Sequence, residues 1–310
     1  MITKNRQSNE TISVMAKRAF PDKKIVKITE LTEGMCNVTY DIAFDDGSES
    51  ILKIAARDRS GNTSNEVNLM QAEVKAMRLV KEKCSFHVAD VQYYDDSRTV
   101  CDGWYFFMEK LEGVNFFFVR QDMPEDEIAR IDTELGKIAQ ELATVHHASF
   151  GFLGEEKRYD TLYEFVKQML NNLLSDAKKK EIDILYDAQT FLERLEKDRP
   201  AFDAVRHATL VHWDMWEGNV FVKDGQVSGI IDWERAMWGE PFMDDRFRMH
   251  SRRIPFLEGF GQTSFSEDEQ KRLRWYDIIL YLTMMIEVFY RGFEDQGQYF
   301  WAREMLEKCM

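Results

Sequence analysis

The segment around Leu210 to Glu234 limits what this chain can be more than any other. It runs Leu210-Val211, then the polar loop His212-Trp213-Asp214-Met215-Trp216-Glu217-Gly218-Asn219, then Val220-Phe221-Val222-Lys223. The turn Asp224-Gly225 and the run Val227 to Ile231 complete a hairpin, and Asp232-Trp233-Glu234 follows directly. An Asp-Gly pair between two apolar runs is a tight-turn signal. The hairpin fixes the separation of Asn219 from Asp232, so both can reach one metal ion. Asp214, an amide five residues on and a second carboxylate therefore share one rigid support. Phosphoryl transfer asks for little else, namely a carboxylate to position the acceptor hydroxyl and metal ions to neutralise the phosphates.

The rest of the chain divides into a strand-rich part and a helical part. Lys24 to Leu31, Asn37 to Phe44 and Ser50 to Ala55 read as strands, with a turn at Asp45-Asp46-Gly47-Ser48. Ser64 is placed as the cap of a helix running to about Lys83, because Val67, Met70, Val74, Met77 and Val80 recur at helical spacing. Val88 to Tyr94 and Trp104 to Lys110 read as strands again. Beyond Gly113, helices are expected from Pro124 to about Ser149, near Thr161–Lys180 and Ile184–Lys197, and over Glu267 to Tyr290 and Gln298 to Lys308. The reading is an α+β fold of two lobes. Residues 1–110 form a small β-rich N-lobe and residues 111–310 a larger, mainly helical C-lobe, joined near Glu109–Gly113.

His212, Asp214 and Asn219 make a His-x-Asp-x-x-x-x-Asn pattern, and Asp232 stands after the hairpin. Here the chain resembles the aminoglycoside phosphotransferase and choline kinase superfamily, a branch of the protein-kinase-like fold. The resemblance extends to Gly239-Glu240-Pro241-Phe242-Met243-Asp244. It implies Asp214 as catalytic base and Asn219 with Asp232 as Mg²⁺ ligands. Trp213 departs from it, since most members carry Gly there. No Arg precedes Asp214, so a phosphorylated activation loop is not expected.

The same resemblance implies a nucleotide site in the N-lobe. Lys53, in Ser50-Ile51-Leu52-Lys53-Ile54-Ala55, would meet the α- and β-phosphates. Glu73 would hold its ammonium, with Glu66 as the competing partner. Gly34 falls in the loop Thr32 to Asn37, expected to cover the phosphates. The backbone of Glu109 and Leu111, in the connector Met108 to Leu111, would bond the base edge. His146 and His147 are placed at the end of the long helix and given no role.

The expected activity is transfer of a phosphoryl group from ATP or GTP to a hydroxyl of a small cationic molecule such as an aminoglycoside. A kinase of a sugar, amino alcohol or other metabolite is the alternative, and a nucleotide-binding pseudokinase a further one. A protein kinase fits less well, given the Gly-poor loop and the missing Arg. The formal charge of −14 leaves no basic run for nucleic acid. It prompts the expectation that Glu234, Glu240, Asp244, Asp245, Glu287, Glu294 and Asp295 line an acidic cleft beside Trp238, Trp275, Tyr276, Phe289 and Tyr290. Cys36, Cys84, Cys101 and Cys309 are scattered without metal-ligand spacing. The first ten residues are polar, and Ile278 to Tyr290 is too short to span a bilayer, so a cytoplasmic protein without a membrane partner is expected.

Overall fold

Apolar residues alternate along β2 (Val38–Phe44), so Val38, Tyr40, Ile42 and Phe44 enter the core while their neighbours face outward. In the computed structural model, which describes residues 4–32, 37–58 and 60–310, this strand lies in a five-stranded antiparallel sheet. With β1 (Ile25–Leu31), β3 (Glu49–Ile54), β4 (Val91–Asp95) and β5 (Tyr105–Met108), the order is β1-β2-β3-β5-β4. Gly34 lies outside the described residues, as does Cys36.

β3 is the middle strand, and both of its faces are covered. A helix that the sequence reading did not anticipate, α1 (Asn9–Ala19), seats Ile12, Met15 and Ala16 against the side carrying Leu52 and Ile54. Only three of its residues are buried, so its apolar stripe is too thin to stand out in the sequence. On the opposite side, Met70, Val74 and Met77 of α2 (Leu69–Lys83) cluster with Ile51, Phe106 and Met108. Lys53, between Leu52 and Ile54, is therefore buried. Lysine on a central strand must find anions there, because water cannot reach it.

The expected start of α2 at Ser64 is corrected to Leu69. The Ser64 amide and hydroxyl both donate to Asp176, each at 2.6 Å, and Asn68 turns through the left-handed region with φ 48°. These bonds hold residues 64–68 as a turn anchored to the C-lobe instead of a first helical turn.

The connector leads through β6 (Val114–Asn115) and the single turn α3 (Phe116–Val119) into α4 (Glu125–Leu142). The expected continuation of α4 to Ser149 is corrected. His146 and His147 form β7 (His146–His147), paired with Thr209 and Ala208, and the ring of His147 stacks on Trp238 at 4.7 Å. Strand pairing with a distant segment overrides a locally continuous helical pattern. β8 (Gly151–Phe152), α5 (Leu162–Lys179) and α6 (Ala188–Phe202) follow. The last starts later than expected because Asp187 caps it by accepting from Thr190.

β9 (Ala208–Val211) joins β7, β8 and β12 (Met237–Gly239) in a sheet of order β7-β9-β12-β8. β10 (Val220–Lys223) and β11 (Gln226–Ile230) pair across Asp224-Gly225, both with positive φ, as the turn chemistry requires. α7 (Ile254–Phe260), also unanticipated, packs on α4. α8 (Glu267–Tyr290) begins with a capping box from Ser266 and Glu269, and α9 (Gly297–Cys309) closes the C-lobe. No helix among the described residues is long and apolar enough to cross a membrane.

Candidate active site

Lys53 Nζ lies 2.6 Å from Glu73 Oε1 and 2.6 Å from Asp232 Oδ1, so β3, α2 and the end of β11 meet at one ammonium. Burial by itself would lower the Lys53 pKa, but Asp232 and Glu73 outweigh it and hold the ammonium well above its ordinary value. Burial raises the fully buried Glu73 carboxyl despite Lys53. Burial would raise Asp232 too, yet its contact with Lys53 prevails and keeps it below the usual carboxylate range. Asp232, whose side chain is 40% exposed, is the member of the trio that opens toward solvent.

Glu66 is drawn elsewhere. It accepts the Thr63 amide at 2.8 Å and pairs with Arg235 at 2.8 Å and Arg291 at 2.7 Å. Glu287 pairs with Arg235 and, at 3.4 Å, with Arg291, so among the described residues Glu66, Glu287, Arg235 and Arg291 join in a buried ion-pair network. Because the helix starts only at Leu69, Glu66 does not share a helical face with Glu73.

The loop after β9 is shaped from both ends. The Asp214 amide donates to His212 Nδ1 at 3.2 Å, while His212 Nε2 lies 3.0 Å from the Ile231 carbonyl, an arrangement that assigns the ring proton to Nε2. Trp213 has φ 78°, a left-handed conformation in which glycine is unstrained and any other residue costs about 1 kcal/mol. The strain is held by two bonds, from the Trp213 amide to Asp244 Oδ2 and from the Asp245 amide to the Trp213 carbonyl, both 3.0 Å. Arg246, fully buried, donates to the Met215 carbonyl at 2.7 Å and lies 3.3 Å from Asp132 of α4.

Asn219 Nδ2 donates to the Asp214 carbonyl at 2.8 Å and to Asp214 Oδ2 at 3.2 Å. These bonds orient the amide so that its nitrogen faces the loop. The Ile231 amide donates to the Asn219 carbonyl at 2.9 Å and ties the residue before Asp232 to the same place. Burial pushes the Asp214 carboxyl up to about 7, against the pull of Arg235 and with Asp245, Asp232 and Glu287 adding to the rise. A carboxylate poised near neutrality suits proton transfer at that pH.

Glu234 belongs to this group too, although the sequence reading placed it only in the acceptor cleft. Oxygens of Glu73, Asp232 and Glu234 all lie within 4.8 Å of one another, and Asn37 Nδ2 donates to Glu234 at 3.0 Å. Burial, then Asp232 and Glu73, push Glu234 up to about 8. The D-x-E spacing across a tight turn after the hairpin was the available signal. Hard carboxylate oxygens, with no thiolate or imidazole among them, fit a Mg²⁺-type cation.

At the connector, the Glu109 amide is spent on the Asp90 carbonyl at 2.9 Å. The Leu111 side chain packs over Gly229 so tightly that a Cβ added to Gly229 would fall 2.7 Å from it.

The broad acidic cleft expected from the net charge is not what the fold builds. Glu240 is buried in a forked pair with Arg272 at 2.8 to 3.0 Å, Glu287 belongs to the arginine network, and Asp244 braces Trp213. Glu294 and Asp295 are exposed, while Trp275 and Tyr276 are core residues. A small cleft beside the site is lined by Glu66, Trp213, Glu234, Arg235, Met169 and Thr283, among others.

His212 gives a testable stability signature. Burial lowers its pKa from an ordinary 6.5 to about 4, so the fold holds the imidazole neutral. The unfolded chain then binds the proton first. Stability is complete above pH 6.5 and falls as pH drops toward 4, by roughly 3 kcal/mol for this group alone. Urea melts of wild type and His212→Gln between pH 7 and pH 4 should show a distinctly smaller loss in the variant. Parallel losses would deny the buried neutral ring.

A sequence model of a phosphotransferase enzyme family, APH, matches residues 27–264. No curated protein sequence matches the chain. Among solved structures, a thermostable mutant of aminoglycoside phosphotransferase APH(4)-Ia, in ternary complex with AMP-PNP and hygromycin B, aligns with a TM-score of 0.66 at 15% identity, covering 96% of this chain and 97% of that one. A similar match is the streptomycin-ATP-APH(2")-IIa ternary complex, with TM-score 0.62, 15% identity and coverage of 98% and 97%. A third is a protein from Ralstonia eutropha JMP134 described as a putative aminoglycoside phosphotransferase, with TM-score 0.65, 13% identity and coverage of 98% and 96%. At such identities the likeness is one of fold, the two-lobed kinase-like architecture.

Proposed function

Because the chain belongs to this family of phosphotransferase enzymes, we propose that it moves the terminal phosphoryl group of ATP or GTP onto a hydroxyl of a small molecule. The observation that carries the reading is the convergence of Asp214, Asn219 and Asp232 on one loop-and-hairpin support facing the Lys53–Glu73 pair. In this reading residues 1–110 hold the nucleotide and residues 111–310 the acceptor, in a cytoplasmic enzyme.

Each residue then has a chemical task. Lys53, kept charged by Glu73, meets the α- and β-phosphates, and the Glu109 carbonyl and Leu111 amide take the base edge. The acceptor oxygen attacks the γ-phosphorus, the nucleoside diphosphate leaves, and the hydroxyl proton passes to Asp214. Asp232 and the Asn219 side-chain oxygen would hold Mg²⁺, which when bound neutralises charge on the phosphates. Trp213 forms a wall of the neighbouring cleft. A cationic acceptor such as an aminoglycoside is supported by the fold relatives, whose ternary complexes hold hygromycin B and streptomycin.

Nucleotide consumption measured across aminoglycosides, sugars and amino alcohols, with Mg²⁺ present, tests the reading. Wild type should turn over at least one acceptor. Asp232→Ala should lose the Mg²⁺-dependent part of nucleotide affinity in calorimetry, together with turnover. Unchanged affinity and unchanged turnover in that variant would remove the metal role. Nucleotide binding without any acceptor turnover would favour a pseudokinase.

A further inference from the structure

We infer that Trp216 is a stacking platform for a ring of the acceptor, so that the substrate class is a hydroxylated molecule with a planar or apolar ring face. The inference rests on the phosphotransfer reading above and adds to it which part of the acceptor the protein grips. Trp216 stands two residues after Asp214 in the same loop, and it is exposed, whereas Met215 before it is buried and Glu217 and Gly218 after it are half-buried.

The platform is built, not incidental. The indole lies against the backbone of Gly218, where an added Cβ would fall 2.2 Å from a ring carbon, so this side of the ring is closed and only glycine permits the approach. Phe117 meets the indole edge-on at 5.5 Å, and Phe118 meets Phe117 at 5.5 Å. Asn115 fastens the two segments together with both ends of its amide. Its oxygen accepts the Phe117 amide at 3.0 Å, and its nitrogen donates to the Gly218 carbonyl at 2.5 Å. Arg120 adds an ion pair to Glu217 at 3.4 Å. The indole is thus fixed in orientation before any ligand arrives.

Despite this bracing, Trp216 is 37% exposed, Phe117 52% and Phe118 60%. Three large aromatic side chains left accessible in one place are a patch of the kind that marks a binding site. Its chemistry favours a ring face. The carboxylate that follows it in the loop, Glu217, is compensated by Arg120 at 3.4 Å and Arg246 at 3.6 Å, and the indole itself offers a π surface. Its location selects the acceptor. A hydroxyl delivered to Asp214 brings the adjoining part of its own molecule along the loop that carries Trp216, whereas the nucleotide base is assigned to the connector at Glu109 and Leu111.

The test uses the purified full chain with ADP and Mg²⁺. Dissociation constants for kanamycin and phenyl β-D-glucopyranoside, which carry rings, and for sorbitol, which does not, are measured by ligand-observed NMR. Wild type should bind a ring-bearing probe more tightly than sorbitol. Trp216→Ala should weaken that probe about tenfold, as loss of one stacked ring does. Trp216→Phe should keep most of the affinity, and ADP affinity should move by less than about twofold. Four results overturn the proposal: wild type binding neither ring-bearing probe, Trp216→Ala binding them unchanged, loss of ADP affinity with the probes unaffected, or a change confined to self-association. The transfer reading fails or stands separately, on the turnover of Asp214→Asn against wild type.

Discussion

Asp214→Asn is expected to lower kcat by about 10²- to 10⁴-fold, the usual worth of a positioned general base. The substitution is nearly isosteric and keeps an oxygen within reach of Asn219 Nδ2, which donates to Asp214 Oδ2 at 3.2 Å. The loop is otherwise fixed by groups the change does not touch, among them the Met215 carbonyl held by Arg246 and the Trp213 amide held by Asp244. Nucleotide affinity and melting temperature should therefore stay near wild type while turnover collapses. Because burial disfavours the charged carboxylate at this position, the neutral amide also removes a desolvation cost, so a small gain in stability is expected. Steady-state kinetics, nucleotide calorimetry and thermal melts together check this. Turnover near the wild-type rate would mean that another group takes the proton.

The largest effect on stability is expected from Arg235→Met, at roughly 3–5 kcal/mol, the cost of removing one guanidinium from a buried ion-pair network. Arg235 reaches Glu66 at 2.8 Å and also pairs with Glu287, and both carboxylates are nearly inaccessible. Arg291 still pairs with both carboxylates, at 2.7 Å and 3.4 Å, but the guanidinium on their other side is gone. The double variant Arg235→Met with Glu287→Gln should recover most of the loss, since it also removes one of the two carboxylates that Arg235 had paired. Urea denaturation of the two single variants and the double closes the cycle. If the double variant is no more stable than Arg235→Met, the penalty comes from lost packing and not from uncompensated charge. Arg235 also lowers the Asp214 pKa, so this network joins the anchored turn before α2 to the electrostatics of the catalytic loop.

The correspondence between sequence and structure follows the distance along the chain over which each feature is decided. Asp214, Asn219 and Asp232 stand on one loop and one hairpin, and the Asp224-Gly225 turn aligns the strands whatever surrounds them. Hydrophobic alternation along β2 and helical spacing along α2 and α5 are likewise local patterns, legible because they bury a face against any apolar partner. Helix ends were less legible. Ser64 has the residue type of a cap, but Asp176, 112 positions later, takes both of its donors. His146 and His147 continue a helical run by composition, but pairing with β9 claims them.

By itself, then, the sequence determined the family, the α+β two-lobed fold and the motif loop with its carboxylates, because side-chain type and short spacing suffice for each. Tertiary structure alone decided which charges face which. Glu66 finds Arg235 and Arg291 from 169 and 225 residues away, Glu240 finds Arg272, and Glu234 turns toward Glu73 and Asp232. Buried charges take whatever counter-charge the packing brings within a few ångströms, and the low dielectric around them makes that choice decisive. The net charge of −14 records only a sum, and how it is spent is settled where the lobes and helices meet.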